Sequence, residues 1–142
     1  MTFYERRDFV REFLAGEGYR PEVDKDGDIF IKKEGRTLYV ILDDDDTGYY
    51  RVLLPTIDRM EENESKVPYY LACNEGNRVV KVAKVWIQED TVHVTAETFF
   101  SDVEAFTKNL ERILACCLTI QYKYSEALAK ARAQINQTEE DL

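Results

Sequence analysis

The sequence predicts an α+β fold, an antiparallel sheet of about five strands with helices packed on one face, in the order α-β-β-β-α-β-β-α. Both ends of the 142-residue chain carry apolar side chains at helical spacing. Between them lie short runs rich in β-branched and aromatic residues, separated by turn signals. A chain of this length is expected to form one domain with a sizeable core. We assign residues 1–131 to that domain and residues 132–142 to a polar C-terminal tail.

The N-terminal half is predicted to form one helix followed by a strand meander. Residues 2–5 fit a capping box, and Gly16 ends the helix because glycine tolerates the left-handed conformation found there. The Asp26-Gly27 pair is typical of a hairpin turn. Strands are predicted over residues 29–33, 37–43 and 49–54. Pro55 closes the third strand, and the polar segment after it is predicted to start as a loop.

The middle of the chain is predicted to form a second helix and a strand hairpin. The helix begins near Ser65, because Pro68 is tolerated only in a first helical turn, and ends near Asn77. We interpret Asn74 and Asn77 as residues that end this helix by bonding the backbone, with contact to a ligand as the alternative. The hairpin strands span residues 79–88 and 91–98.

The last predicted element is a long helix. It begins at a capping box at Ser101, and its apolar residues recur every three or four positions as far as Ala131. Such a helix is roughly 45 Å long, which exceeds the diameter of a small domain. Its last turns must therefore fray, project or pack on something else. Residues 134–142 are polar and predicted to be disordered.

The charge balance argues against several classes of partner. The chain has 28 Asp and Glu against 19 Lys and Arg, a net charge of −9, whereas nucleic acids and anionic lipids attract basic proteins. No apolar run approaches the ~18 residues of a membrane span, and the N-terminus lacks the apolar stretch of a signal peptide. Three cysteines, an odd number, do not fit a secreted disulfide framework. We therefore expect a cytoplasmic protein that binds neither nucleic acid nor membrane.

The segment that closes the second helix carries a family resemblance. It reads Cys-Asn-Glu-Gly-Asn-Arg at residues 73–78, and strands at 79–87 and 90–97 and an acidic, aromatic final helix follow. This pattern and the element order resemble the YbjN family, whose members share the fold of type III secretion chaperones. The resemblance implies that fold, a tendency to dimerise and a role in binding peptides or proteins, and it implies no catalytic residues. The chain departs from the family in the acidic, insertion-like residues 61–64.

No arrangement typical of a catalytic or cofactor site occurs in the sequence. It has no glycine-rich phosphate loop, no nucleophile elbow and no cysteine pair spaced for zinc. The one histidine, His93, is predicted to be solvated or partly packed and to share a strand face with Thr91 and Thr95. Cys117 lies on the apolar stripe of the final helix and is predicted to behave as a small buried hydrophobe. We expect no enzyme, no cofactor and no metal centre.

An acidic loop lies between the second and third predicted strands. Starting at Asp43 it resembles a calcium-binding loop, but the twelfth position is Leu54, which cannot ligate, and a strand follows where a helix is required. We interpret the loop as a solvated rim that steers partners electrostatically, with weak cation binding left as an alternative. Its acidic residues are Asp43, Asp44, Asp45 and Asp46.

The strands alternate poorly between apolar and polar residues. In the second predicted strand Leu38 and Val40 share one face, while Tyr39 and Ile41 take the other. Because helices are predicted on one face only, the second face is an apolar, aromatic surface that a second copy or a protein partner would cover. The candidate contact residues on it are Tyr39, Tyr49 and Trp86.

The leading functional interpretation is a non-enzymatic protein-binding module, chaperone-like or regulatory, that holds a peptide or protein segment. A homodimer is expected. Two alternatives stay open: a purely structural homodimer subunit, and a small-ligand or metal sensor built on the acidic loop.

Overall fold

The predicted α+β architecture is confirmed by the computed structural model, which describes residues 1–140, with side chains through residue 138. One sheet of six antiparallel strands has the strand order β1-β2-β3-β4-β6-β5. The strand beyond the predicted five is β1, which is only two residues long. The elements of the described chain are α1 (Phe3–Gly16), β1 (Glu22–Val23), β2 (Ile29–Lys33), β3 (Arg36–Leu42), β4 (Tyr49–Arg59), α2 (Val67–Val79), β5 (Ala83–Gln88), β6 (Thr91–Phe99) and α3 (Val103–Glu140).

One face of the sheet carries the hydrophobic core. Leu38 and Val40 of β3 are fully buried, whereas their neighbours on the opposite face are only partly buried, as the sequence predicts. α3 packs on β4, β5 and β6, and α2 packs on α3 and β5. α1 contributes Val10 and Leu14 to the same core. The side chains on the opposite face of the sheet are therefore more exposed than those on the core face.

β4 is longer than predicted. It continues beyond Pro55, so the prediction that this proline ends the strand and starts a loop is wrong. The pairing of β4 with β6 shifts register between Leu54 and Asp58, and this irregularity tolerates a residue that has no N–H to donate. Within it Thr56 has a φ of 47°, and its N–H donates to Nδ1 of His93 at 2.9 Å. A side chain from β6 thus takes over the hydrogen bond that a regular ladder would make.

The bounds of α2 and β5 also differ from the prediction. Pro68 lies in the first turn of α2 as expected, and the helix begins two residues after Ser65 and ends two residues after Asn77, at Val79. β5 begins at Ala83 rather than at residue 79. The reason is local, because α2 takes up Val79 and the backbone of Val82 has a φ of 70°, outside the extended region.

α3 is a single helix that runs well past its predicted end. The prediction of disorder from residue 134 is wrong as far as Glu140, and residues 141–142 lie outside the described part of the chain. Ala131 is buried, and the guanidinium of Arg132 donates from Nε and Nη2 to the two carboxylate oxygens of Glu64, at 2.7 and 3.0 Å. The acidic segment before α2 is therefore linked to the C-terminal half of α3 by a bidentate ion pair.

Candidate protein-binding surface

The sheet face opposite the helices, called the open face below, carries a cluster of partly exposed apolar side chains. We call this cluster the aromatic patch; it consists of Phe30, Tyr39, Ile41, Leu53 and Trp86. Neighbours on adjacent strands bring most of the patch into one row. Cross-strand pairs of aromatic and branched side chains stabilise a sheet and also build a continuous surface on it.

The patch is continuous across the middle of the sheet. Tyr39 of β3 lies directly opposite Phe30 of β2 and Leu53 of β4, and the Tyr39 and Phe30 ring centroids are 5.7 Å apart. Leu53 in turn lies opposite Thr95 of β6. The row therefore crosses four strands without a charged residue.

Trp86 completes the patch from the edge strand β5. Its indole Nε1 donates to Oγ1 of Thr95 at 3.1 Å, and its ring centroid is 4.8 Å from that of His93. The indole thus leans over β6, which explains why Thr95 is completely buried on an otherwise accessible face. Because its N–H is already bonded, the indole presents apolar surface to a partner without leaving a polar group unsatisfied.

His93 has a structural role beneath Trp86. Nδ1 accepts the N–H of Thr56, so the ring proton sits on Nε2 and points to Oγ1 of Thr91, 2.8 Å away. The Thr91 hydroxyl donates to the carbonyl of Gln88. Burial lowers the pKa of His93, and nearby arginines lower it further, so the ring is neutral at physiological pH. The predicted face shared with Thr91 and Thr95 is confirmed, and both ring nitrogens are engaged.

Tyr49 lies on the same face but outside the patch. It pairs with the exposed Phe99 at the end of β4 and β6, with the two ring centroids 5.9 Å apart. Between Tyr49 and the row of Tyr39 and Leu53 lies a charged row, which Ile41 of the patch borders and in which Glu97 bonds Lys84 at 2.9 Å and lies 3.8 Å from Arg51. Of the three candidate contact residues, the structure brings Tyr39 and Trp86 into one surface and leaves Tyr49 separate.

The acidic loop lies beside the Tyr49 end of the sheet. The Asp43 carboxylate accepts the N–H groups of Asp45 and Asp46, both at 2.8 Å, and these bonds hold the pKa of Asp43 below its usual range. Asp43 therefore folds the loop, while Asp44, Asp45 and Asp46 are exposed. Within residues 1–138 no group of three or more His, Cys, Asp or Glu side chains is arranged to hold a metal ion.

The outer edge of β5 is covered by a side chain from α2. The amide of Asn77 donates from Nδ2 to the carbonyl of Val85 at 2.9 Å and accepts the N–H of Val85 at 2.7 Å. Asn77 thus makes the two backbone hydrogen bonds to Val85 that a neighbouring strand would make. A Cβ at Gly76 would lie 3.2 Å from Val85 and 3.3 Å from Ile120, so glycine lets α2 come close enough for this contact. The interpretation of Asn77 as a helix-ending residue is wrong, since its partner lies in β5.

The exposed face of α2 is a second, smaller apolar region. Val67, Tyr70 and Leu71 are each about half exposed there. Tyr69, the neighbour of Tyr70, is fully buried. Alternation of buried and exposed residues along α2 explains this difference, because adjacent helical side chains point about 100° apart.

The thiols offer no reactive group in the interior. Burial raises the pKa of Cys73 to about 11 and that of Cys117 to about 12, so both are protonated at neutral pH. The prediction that Cys117 is a buried small hydrophobe is confirmed.

Comparison with known proteins identifies the fold class. No protein-family model and no curated protein sequence matches the chain. YbjN of E. coli, described as a putative transcription regulator, aligns with a TM-score of 0.51 at 14% identity, over 89% of this chain and 91% of that one. The chain therefore has the YbjN-like fold that the sequence resemblance implies.

Two further solved structures are similar. An uncharacterized protein from Methanothermobacter thermautotrophicus aligns with a TM-score of 0.56 at 12% identity, over 87% of this chain and 99% of that one. The Yersinia pestis type III secretion chaperone SycH, in complex with a stable fragment of YscM2, aligns with a TM-score of 0.48 at 10% identity, over 81% of this chain and 98% of that one. Among the helices of residues 1–140, none is both long and apolar enough to cross a membrane.

Proposed function

We propose that the chain is a non-enzymatic, cytoplasmic protein-binding module whose open face holds a segment of another protein. The observation that carries this proposal is the aromatic patch, a row of partly exposed rings and aliphatic side chains across four strands. The likeness to YbjN supports the fold alone, so the functional argument rests on this surface.

The composition of the patch suits recognition of a protein. Tyr and Trp dominate binding energy at interfaces, because they bury a large area with few rotatable bonds. Tyr39 and Trp86 are held by neighbours within the sheet before any partner arrives. A preformed surface loses little conformational entropy on binding. The polar row of Glu97, Lys84 and Arg51 borders the patch and would form a rim.

The face is a better docking surface than the sheet edges. β1 has only two residues, and Asn77 occupies the outward N–H and carbonyl of Val85 at the centre of β5. A strand added at either edge would find few free hydrogen-bonding groups. We therefore propose side-chain packing on the patch rather than strand addition.

Charge favours a basic or neutral client. The net charge is −9, and the exposed Asp44, Asp45 and Asp46 stand beside the open face at the Tyr49 end. Such a field speeds encounters with basic segments and is screened by salt. No specific contact favours a metal sensor, because the Asp43 carboxylate is already bonded within the loop.

A pair of charge-matched variants tests the proposal. Leu53→Glu places a carboxylate at the centre of the patch, and Tyr70→Glu places one on the exposed face of α2. Tagged proteins purified from the native host are compared by mass spectrometry, and each retained partner is then titrated against purified protein. We expect Leu53→Glu to weaken the partner's affinity by about tenfold or more, since a buried unpaired charge is costly, and Tyr70→Glu to keep it.

The outcomes separate the candidate functions. Circular dichroism and thermal unfolding first establish that both variants fold. Equal partner affinity for Leu53→Glu and the wild type would overturn the proposal. If light scattering shows a dimer that Leu53→Glu alone dissociates, and no other protein is retained, a second copy covers the patch and the structural-homodimer alternative replaces client binding.

A further inference from the structure

A second candidate site lies on the helix side of the sheet, away from the aromatic patch. β5 begins at Ala83, opposite Ala96, whereas β6 continues to Phe99, so the end of β6 lacks a neighbour from β5. A cavity of about 230 Å³ opens there, between the end of β6, the α2–β5 connection and α3. The residues that matter for its chemistry are Lys81, Val82, Phe100, Arg112, Ile113 and Cys116.

Two cations line this cavity, and no carboxylate among the described residues does. Lys81 and Arg112 are the charged residues of the lining, and its other polar side chains, Thr98 and Asn109, are neutral. Within the described part of the chain, neither cation forms an ion pair. Such a lining contrasts with the net charge of −9 of the whole chain. A cleft that carries one sign of charge between apolar walls concentrates its field and attracts the opposite charge.

Apolar side chains form the rest of the wall. The ring of Phe100 packs against those of Tyr50 and Phe106, with centroids 6.1 and 5.9 Å away, so its position is fixed by the core. Ile113 is only 5% exposed and follows Arg112 directly on α3. An occupant would therefore meet a preformed apolar surface beside two cations. This combination favours a molecule with an apolar body and an anionic group.

The backbone that supplies one wall of the cavity is strained. Val82 has a φ of 70°, and the N–H of Ala83 donates to the carbonyl of Lys81 at 2.7 Å, which closes a γ-turn over Val82. Turns of this kind are rare, and a positive φ is least favourable for a β-branched residue. The strained turn holds both Lys81 and Val82 at the cavity. Strain of this kind is frequent where the backbone positions residues for a ligand.

We propose that this cavity binds a small organic acid, with its carboxylate at Lys81 and Arg112 and its apolar body against Phe100 and Ile113. An arginine can pair with a carboxylate through two parallel N–H bonds, and a lysine adds a compact charge. Both cations are exposed, so their donors are open to a ligand and the free protein buries no unpaired charge. The cavity is smaller than the roughly 300–1,000 Å³ typical of drug-sized ligands, which limits the occupant to a molecule about as large as benzoate.

The thiol of Cys116 allows the full chain to be tested with benzoate as the probe. Cys116 is the only one of the three cysteines that is not buried, so its alkylation by the neutral reagent iodoacetamide reports on the cavity. Benzamide has the same ring without the charge, and acetate has the charge without the ring. At neutral pH and constant ionic strength, we expect benzoate to slow this alkylation saturably and to raise the thermal unfolding midpoint. Benzamide and acetate at the same concentrations should do neither.

Three variants that each remove one exposed cation make the result specific. Arg112→Gln and Lys81→Gln are each expected to weaken the apparent affinity for benzoate several-fold, with every variant compared with its own alkylation rate in the absence of benzoate. Lys108→Gln is the matched control. It removes a cation one turn earlier on α3 that lies 3.5 Å from Glu104 and outside the cavity lining, so the affinity should stay unchanged.

Several results would overturn the proposal. One is the absence of any effect of benzoate on the wild type, and another is an equal effect of benzamide or acetate. An unchanged affinity in Arg112→Gln or in Lys81→Gln would also overturn it. An equal loss of affinity in Lys108→Gln would show that benzoate responds to the general charge of α3 and not to this cavity.

Discussion

Two arginines mark opposite ends of α3, one in its C-terminal half and one in α1 beside its start, and their surroundings differ. Near the C-terminal end, Arg132 binds both carboxylate oxygens of Glu64 and also donates to the hydroxyl of Tyr69 at 2.8 Å. Near the N-terminal end, Arg6 is more deeply buried, yet within the described residues the one well-formed hydrogen bond of its guanidinium goes to a backbone carbonyl. Arg6 is thus more buried than Arg132, but its guanidinium has fewer hydrogen-bond partners.

This difference distinguishes a closed hydrogen-bonded network from a buried charge that has few partners. The Tyr69 hydroxyl donates to Glu64 and accepts from Arg132 and from the N–H of Glu61, so the C-terminal contact is a closed network. Closed networks rigidify the fold and leave nothing for a ligand to bind. Around Arg6, by contrast, Nε, Nη1 and the nearby Tyr50 hydroxyl are closed to solvent and make no well-formed hydrogen bond within the described residues, which is costly for stability.

Removing Tyr69 is expected to have the largest effect, because it breaks the closed network and empties the core. Its ring is fully buried, so Tyr69→Ala should lower the free energy of unfolding by about 3–5 kcal/mol. Tyr69→Phe keeps the ring and loses only the hydroxyl, and should cost about 1 kcal/mol. Urea unfolding measures both. Equal losses for the two variants would show that the network, not the ring, dominates.

Removing the charge of Arg6, beside the start of α3, should change the free energy of unfolding much less. Arg6→Met replaces a buried cation that has no ion-pair partner within 4 Å by an apolar side chain of similar length, so the free energy of unfolding should change by no more than about 1 kcal/mol. The same urea titration measures it without added anions other than chloride. A loss of about 3 kcal/mol or more would mean that the Arg6 charge is already satisfied in the native fold.

The smallest expected effect is the change in stability with pH that the Glu64–Arg132 contact produces. Arg132 and Tyr69 hold the pKa of Glu64 below its ordinary value near 4.5. The stabilisation is therefore complete above about pH 4.5 and is lost as the pH falls through the lowered pKa of the folded state. We expect the urea midpoint of the wild type to fall more steeply below pH 4.5 than that of Glu64→Gln. Parallel curves for the two proteins would contradict the Glu64–Arg132 contact.

The parts of the fold set by local chemistry could be predicted from the sequence. β2 has the predicted bounds of residues 29–33, and α1 ends at Gly16 as expected. In both, side-chain periodicity and capping residues determine the structure locally. β4 was mispredicted because its continuation past Pro55 depends on His93, a residue of another strand. α3 was mispredicted because Glu64, 68 residues earlier in the chain, anchors it at Arg132.

The candidate site residues also divide into those that the local sequence predicts and those whose placement depends on distant residues. The position of Tyr39 on the open face could be predicted, because strand alternation places it on the face opposite Leu38 and Val40. The placement of Tyr49 beyond a charged row depends on Glu97 of β6, which no local pattern reveals. Arg6 gave no signal in the sequence, since an arginine early in an amphipathic helix is normally exposed. Its burial becomes visible only once the acidic loop and α3 close over it.

Site-specific photo-crosslinking in the native host tests the central claim, that the open face binds another protein, most directly. A photoreactive amino acid replaces Tyr39 in the patch or, as the control, Tyr70 on α2. The account predicts a cross-linked species of defined mass from position 39, containing a different protein, and no such species from position 70. No cross-link from position 39, the same species from both positions, or a cross-link only between two copies of the chain would contradict it.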